Sequence, residues 1–141
     1  MTLGIPDPIH ISVCECQGEA FRYAAKKGYD LERFRYLFLN SDFCYNFMDI
    51  QYSSVQRLSP AGFLDEMIIE YGYLPTTNAE QDPDLGYFVG YVSRYMFYRY
   101  GLSGKKILDI FSFSDMKNAY INSYGIDSYE DIAREMLEKA L

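Results

Sequence analysis

At 141 residues the chain has the size of one domain, and 49% apolar with 18% aromatic residues gives it material for a core. A net charge of −7, shared as ten acidic residues before Gly72 and ten after it, with no Lys/Arg run beyond two, argues against direct binding of a phosphate backbone. One histidine, His10, argues against a multi-histidine metal site, and three cysteines without framework spacing argue for reduced thiols rather than disulfides.

In chain order, residues 1–6 read as a loose arm. Asp7-Pro8 predicts a helix start, with Asp7 as cap and proline in the first turn. Ile9, Val13, Cys16, Ala20, Tyr23 and Ala24 follow at helical spacing to Lys27, and Gly28 ends the run. The alternation Ile9 to Val13 makes a short strand the competing reading. Asp30 caps a short helix from Leu31 to Leu39. Ser41 caps a third from Asp42 to Ile50, with Phe43, Phe47 and Ile50 inward. Ser59-Pro60 opens Ala61 to Tyr71, with Phe63, Leu64, Met67 and Ile68 as its stripe and Gly72 as its stop.

Residues 73–84, with Pro75, Asn78, Asp82 and Pro83, read as the one linker. The following segment, Leu85 to Tyr100, is apolar on nearly every side and carries only Arg94 and Arg99 as charges, the pattern of a buried central helix. Gly86, Gly90 and Ser93 give it a small face that a second helix can approach. Arg94, with Gly90 and Tyr98 four residues either way, is the arginine expected to be partly buried. Gly101 sits where a left-handed cap belongs. Ser103 caps Gly104 to Phe111, Ser114 caps Asp115 to Tyr124, and Ser128 with Asp131 opens Tyr129 to Ala140.

The expected fold is all-α, about eight helices in one domain. The two halves, 8–72 and 85–140, align at an offset near 72 residues. Arg22-Tyr23 matches Arg94-Tyr95, Ser41-Asp42 matches Ser114-Asp115, Tyr52 matches Tyr124, and Ser59 to Ile68 matches Ser128 to Leu137. They read as two four-helix units packed around the central helix, because each unit of about 60 residues would be marginal alone.

No catalytic motif is present. Gly86-x-x-x-Gly90 lacks the lysine of a phosphate loop. Glu66 and Glu70 share a helix face but lack the acid spacing of the helical nucleotide pyrophosphatases, since Ile69 interrupts it. His10 is expected at the surface or in a cap, and Cys44, flanked by Phe43 and Tyr45, inside. No catalytic residue, metal or cofactor is therefore assigned. Tyr91, Arg94, Tyr95 and Tyr98 are the candidate partner-binding residues, because tyrosine and arginine are enriched at interface anchors.

The runs Gly86 to Tyr95 and Leu102 to Ile107, followed by Ser123-Tyr124, resemble small uncharacterised helical proteins of Firmicutes. Some of these look like antitoxin partners of ADP-ribosyltransferase-like toxins. Met96 stands where such proteins commonly carry tryptophan, and Gly125-Ile126-Asp127 replaces a histidine-containing turn. The resemblance implies an antitoxin-like partner with no catalytic residues; with the acidic charge, the aromatic anchors and the reduced thiols, the expected protein is a non-catalytic interaction module of a bacterial or phage cytoplasm that docks on and occludes a partner with a basic cleft. Two other functions compete. One is a small-ligand-binding or hydrolytic helical enzyme with a tyrosine, Arg94 and carboxylate pocket. The other is a phage-encoded nucleic-acid mimic that blocks a defence nuclease. No basic region precedes an apolar run near Met1, so no signal peptide is expected. Leu85 to Tyr98 is too short to span a membrane. The sequence does not fix an oligomeric state.

Overall fold

A computed structural model describes residues 7–123 and 128–141. Among them the chain forms seven α-helices and one π-helical turn: α1 Pro8–Lys26, α2 Leu31–Leu39, the π turn Cys44–Met48, α3 Pro60–Tyr71, α4 Pro83–Tyr100, α5 Gly104–Ile110, α6 Phe113–Ser123 and α7 Tyr129–Ala140. There is no strand among the described residues, only an isolated antiparallel bridge between Tyr29 and Thr76. The fold is all-α as expected, and Ile9 to Val13 is helix. The arm at 1–6 and the expected features from Tyr124 to Asp127 lie outside the described residues.

Most helix starts are set by side-chain caps. The Asp7 carboxylate accepts from the His10 N–H at 2.9 Å. Asp30, Ser59, Ser103 and Ser128 do the same for Arg33, Gly62, Lys106 and Asp131. Two starts differ from expectation. Asp82 caps α4, whose first residue is Pro83, so the central helix begins two residues before Leu85. At α6 the cap is Ser112, not Ser114. Its hydroxyl accepts from the Asp115 N–H while the Asp115 carboxylate accepts from the Ser112 N–H, a reciprocal capping box.

The core forms where α1 and α4 cross. Twelve of the eighteen residues of α4 are buried. The helices meet through glycine: a Cβ on Gly86 would lie 2.8 Å from the Phe21 carbonyl oxygen, and one on Gly90 would lie 2.6 Å from that of Gln17. Neither distance admits a side chain, so this approach requires glycine on α4. Gln17 seals the crossing by donating its amide to the Gly90 carbonyl at 2.9 Å. Gly101 then ends α4 at φ 74°, in the left-handed region.

Around this pair, α3 lies on α1, α7 lies on α4, and α2 lies on α5. Phe21, Phe34, Phe38, Phe43 and Phe63 form one network of mostly edge-to-face rings between the first-half helices. The segment 73–84 is tied down more firmly than a linker. The Asp30 N–H donates to the Pro75 carbonyl and the Thr77 N–H to the Gly28 carbonyl. The Gln81 side chain accepts from the Leu31 N–H and donates to the Tyr29 carbonyl.

The third element of the first half is not the α-helix expected from Asp42 to Ile50. It is a short helical start that widens into the π turn, closed by the Asp49 N–H on the Cys44 carbonyl at 2.8 Å. Only Phe43 of the expected inward stripe is buried, while Phe47 and Ile50 face solvent. Ile68 of α3 is likewise at the surface. The first half therefore holds three α-helices and a π turn, and the second half four α-helices.

Candidate functional site

Arg94 is an interior residue. It is 1% exposed, and its guanidinium is surrounded by acceptors drawn from separate parts of the chain. Nε donates to the Gln17 side-chain oxygen of α1 at 2.9 Å. Nη1 donates to the Met48 carbonyl at 2.9 Å and to the Asp49 carboxylate at 2.8 Å. Nη2 reaches Cys44 Sγ at 3.4 Å. The second oxygen of Asp49 accepts from the Gly104 N–H at the start of α5. Burial alone would lower the Arg94 pKa, but the Asp49 carboxylate beside it, by charge and by hydrogen bond, pushes the other way, and the guanidinium stays charged. Burial pushes the Cys44 thiol up to about 12, so that sulfur remains protonated.

Tyr98, one turn further along α4, lies flat on the His10 ring with centroids 3.9 Å apart and planes 9° apart. His10 also stacks on Tyr52, with centroids 5.4 Å apart. It is thus buried, not at the surface as expected, although its N–H does belong to the Asp7 cap. Tyr52 donates its hydroxyl to the other oxygen of Asp7 at 3.0 Å.

All four candidate binding residues, Tyr91, Arg94, Tyr95 and Tyr98, are buried. Tyr91 donates to Glu130 of α7 at 2.7 Å and packs among Tyr87 and Tyr129. Tyr95 packs on Tyr100. Arg94 and Tyr98, by contrast, come together beneath a single surface segment. Arg94 holds Met48 and Asp49 from below, and Tyr98 supports Tyr52 through His10. The other arginines on aromatic helices lie outside this cluster. Arg22 covers the Tyr87 ring while pairing with Glu19 and Asp84, and Arg99 covers Tyr100.

The supported segment is the candidate site. Between Tyr45 and Tyr52 four large apolar side chains stand in solvent: Tyr45 at 65%, Phe47 at 45%, Ile50 at 39% and Tyr52 at 57%. Lys105 of α5 lies over the Tyr45 ring at 5.8 Å. The π turn produces this display. Its wider winding keeps Cys44 and Met48 inside while the residues between them turn outward. Gln56 fastens the far end, donating to the carbonyls of Phe47 and Ile50.

Arg35 was not singled out in the sequence. It is buried on α2 and donates Nη2 to the Phe111 carbonyl, while its Nε has no hydrogen-bond partner among the described residues. Burial brings its pKa down to about 10, against Glu32 and Asp115 at longer range. Its position five residues after Asp30, inside an otherwise amphipathic helix, gave no sign of this.

The described residues hold no cluster of three or more metal-ligating side chains and no helix long and apolar enough to cross a membrane. No protein-family model, curated protein or solved structure matches this chain.

Proposed function

We propose that the chain is a non-catalytic docking protein that occludes a partner protein, in the manner of an antitoxin, through the segment Tyr45 to Tyr52. The observation that carries this reading is the use of a buried, fully bonded Arg94–Asp49 pair to hold up a surface segment rich in exposed rings. Burying a charge is costly, and here it fixes the geometry of side chains that contribute little to the core. Rigid aromatic anchors lose little entropy on binding. A net charge of −7 favours a basic surface opposite them. The resemblance to antitoxin-like Firmicutes proteins points the same way.

The test is capture of partners by the wild type and by a Tyr45→Ser/Phe47→Ser variant, followed by assay of the partner's own activity. A stoichiometric partner, inhibited by the wild type and released by the variant, supports occlusion. A toxin would place the chain among antitoxins, and a nuclease would favour the nucleic-acid mimic. Absence of a stoichiometric partner, or equal capture by the variant, would end the docking reading.

One observation favours a small-ligand alternative, though in a cleft that holds neither a tyrosine nor Arg94. A cleft of about 360 Å³ lies between α6 and α7, with Asp115, Asn118, Glu135 and Lys139 above Phe111 and Met136. That size is within the range of ligand pockets. A thermal-shift screen with nucleotides and divalent metals tests it directly.

We also read 8–72 and 85–140 as copies of one unit. Support comes from Gly18 and Gly90, 72 positions apart, both at the α1–α4 crossing, where a Cβ on Gly18 would lie 2.9 Å from the Tyr87 ring.

A further inference from the structure

The cleft of about 360 Å³ between α6 and α7 carries a pattern that a compact ligand would leave unused. Asn118 and Asn122 stand four residues apart on α6, and both line the cleft. Both are exposed, and neither carboxamide makes a hydrogen bond among the described residues. Across from them, α7 contributes Ile132, Glu135, Met136 and Lys139 at helical spacing. Ile132 and Met136 are buried together with Phe111, and these three give the cleft an apolar floor.

The spacing of the two amides selects an occupant. Four residues of α-helix rise about 6 Å, so the carboxamides lie about one turn apart along the cleft. In an extended chain, alternate residues lie about 6.7 Å apart and turn their N–H and C=O to the same edge. A carboxamide carries both a donor and an acceptor and can pair with both groups of one residue. Two carboxamides at this spacing therefore match two alternate residues of one extended backbone. The lengths agree as well: from Asp115 to Asn122 the helix rises about 10 Å, the span of about three extended residues. A helical occupant does not fit, because a cylinder about 10 Å wide and 10 Å long fills roughly 800 Å³. Asp115 and Glu135 outnumber Lys139 in the lining, so a phosphate would meet more carboxylate than ammonium.

We propose that this cleft binds a short extended segment of a partner protein, held through its backbone by Asn118 and Asn122. Successive side chains of an extended segment point to opposite faces. With one backbone edge on α6, every second side chain therefore meets the floor of Phe111, Ile132 and Met136, and apolar residues are required at those positions. The site is separate from the Tyr45 to Tyr52 display and needs nothing from it.

The probe is a library of random peptides displayed on phage and panned against the full chain. The expected result is enrichment of sequences with apolar residues at alternate positions. The best of these, made synthetically, shifts the side-chain amide signals of Asn118 and Asn122 saturably in NMR. Asn118→Ala/Asn122→Ala, at exposed positions, keeps the melting temperature and weakens binding about tenfold or more, as the loss of at least two hydrogen bonds implies. Twin peptides N-methylated at alternate residues separate by register: one binds the wild type and the other does not. That comparison uses the wild type alone and decides the matter even if the double variant fails to fold. The proposal is overturned if nothing enriches, if the peptide binds the double variant as tightly as the wild type, or if the two twins bind alike. Amide signals of Asn118 and Asn122 that move with the concentration of the chain itself would make a second copy the occupant and overturn it as well. Binding that survives the asparagine changes but is lost in Tyr45→Ser/Phe47→Ser would overturn it while supporting the docking reading. Failure here leaves that reading standing, because it is tested at Tyr45 and Phe47.

Discussion

Arg94 of α4 and Asp49, just past the π turn, meet at 2.8 Å in the interior, 45 positions apart in sequence. The pair joins four pieces of the fold, because Gln17 holds the guanidinium from α1 and Gly104 holds the carboxylate from α5. Removing one partner leaves the other charged and unpaired in a dry site. Arg94→Met is expected to cost about 3–5 kcal/mol. Asp49→Asn should be similar, and the double variant less than their sum. Urea unfolding with an unchanged slope checks this, and strict additivity would mean that the two residues act separately.

Arg35 provides the contrast. It gives one hydrogen bond to the Phe111 carbonyl and has no carboxylate within ion-pair distance among the described residues. Arg35→Met removes an uncompensated buried charge and keeps most of the volume. Its expected effect is within about 1 kcal/mol of zero, in either direction. A loss as large as that of Arg94→Met would show that Arg35 has a partner that the hydrogen-bond geometry does not reveal.

Gly90→Ala sets two effects against each other. Alanine gains about 1 kcal/mol of helix propensity. Its methyl group, however, would lie 2.6 Å from the Gln17 carbonyl oxygen, which is backbone in the middle of α1 and cannot swing away. Overpacking of this kind costs about 1–3 kcal/mol or more, so net destabilisation is expected. A melting temperature equal to or above that of the wild type would mean that α1 and α4 can part without loss.

Much of this was legible. Gly28 and Asp30 bracket the turn between α1 and α2 as expected, and the all-round apolarity of Leu85 to Tyr100 marked the buried helix because no face was left for water. Two start signals were present but passed over. Asp82-Pro83 repeats Asp7-Pro8, and Ser112 rather than Ser114 has an acid three residues on. The burial of Arg94 could be inferred from Gly90 and Tyr98. Its partners could not, since Asp49 and Cys44 come from distant sequence. The π turn was illegible for the same reason. Phe43, Phe47 and Ile50 have α-helical spacing, and only long-range bonds from Arg94 and Glu70 accompany the wider winding that turns Phe47 outward.

Alkaline pH should weaken the fold through its buried tyrosines. Burial raises the hydroxyls of Tyr71 and Tyr87 from 10.0 to about 12, helped by Glu70 and Asp42 at the first and by Glu15 and Glu19 at the second. In the unfolded chain these groups lose their protons near pH 10, while the folded protein keeps them. The unfolded state then binds fewer protons, so the stability these two tyrosines contribute is full below pH 10 and falls as pH rises toward about 12, on top of a loss that the buried Cys44 thiol, raised from 9.0 to about 12, begins near pH 9. Denaturant midpoints measured across that window, with tyrosine absorbance as the titration signal, should decline together with ionisation. A flat stability profile to pH 12 would contradict the burial of these rings.

Arg94→Lys tests whether the guanidinium fork, and not only its charge, shapes the aromatic display. Lysine keeps the charge and can satisfy Asp49, but its single nitrogen cannot also reach Gln17, Met48 and Cys44 in the geometry of the fork. The expected loss is local. The Asp49 N–H, which closes the π turn on Cys44, should exchange with solvent faster, while the Val92 N–H in the middle of α4 stays protected. Partner capture through Tyr45 and Phe47 should weaken more than global stability falls. If the Asp49 and Val92 amides instead quicken by the same factor, Arg94 is only a general core residue. The link between the buried pair and the surface rings would then be lost.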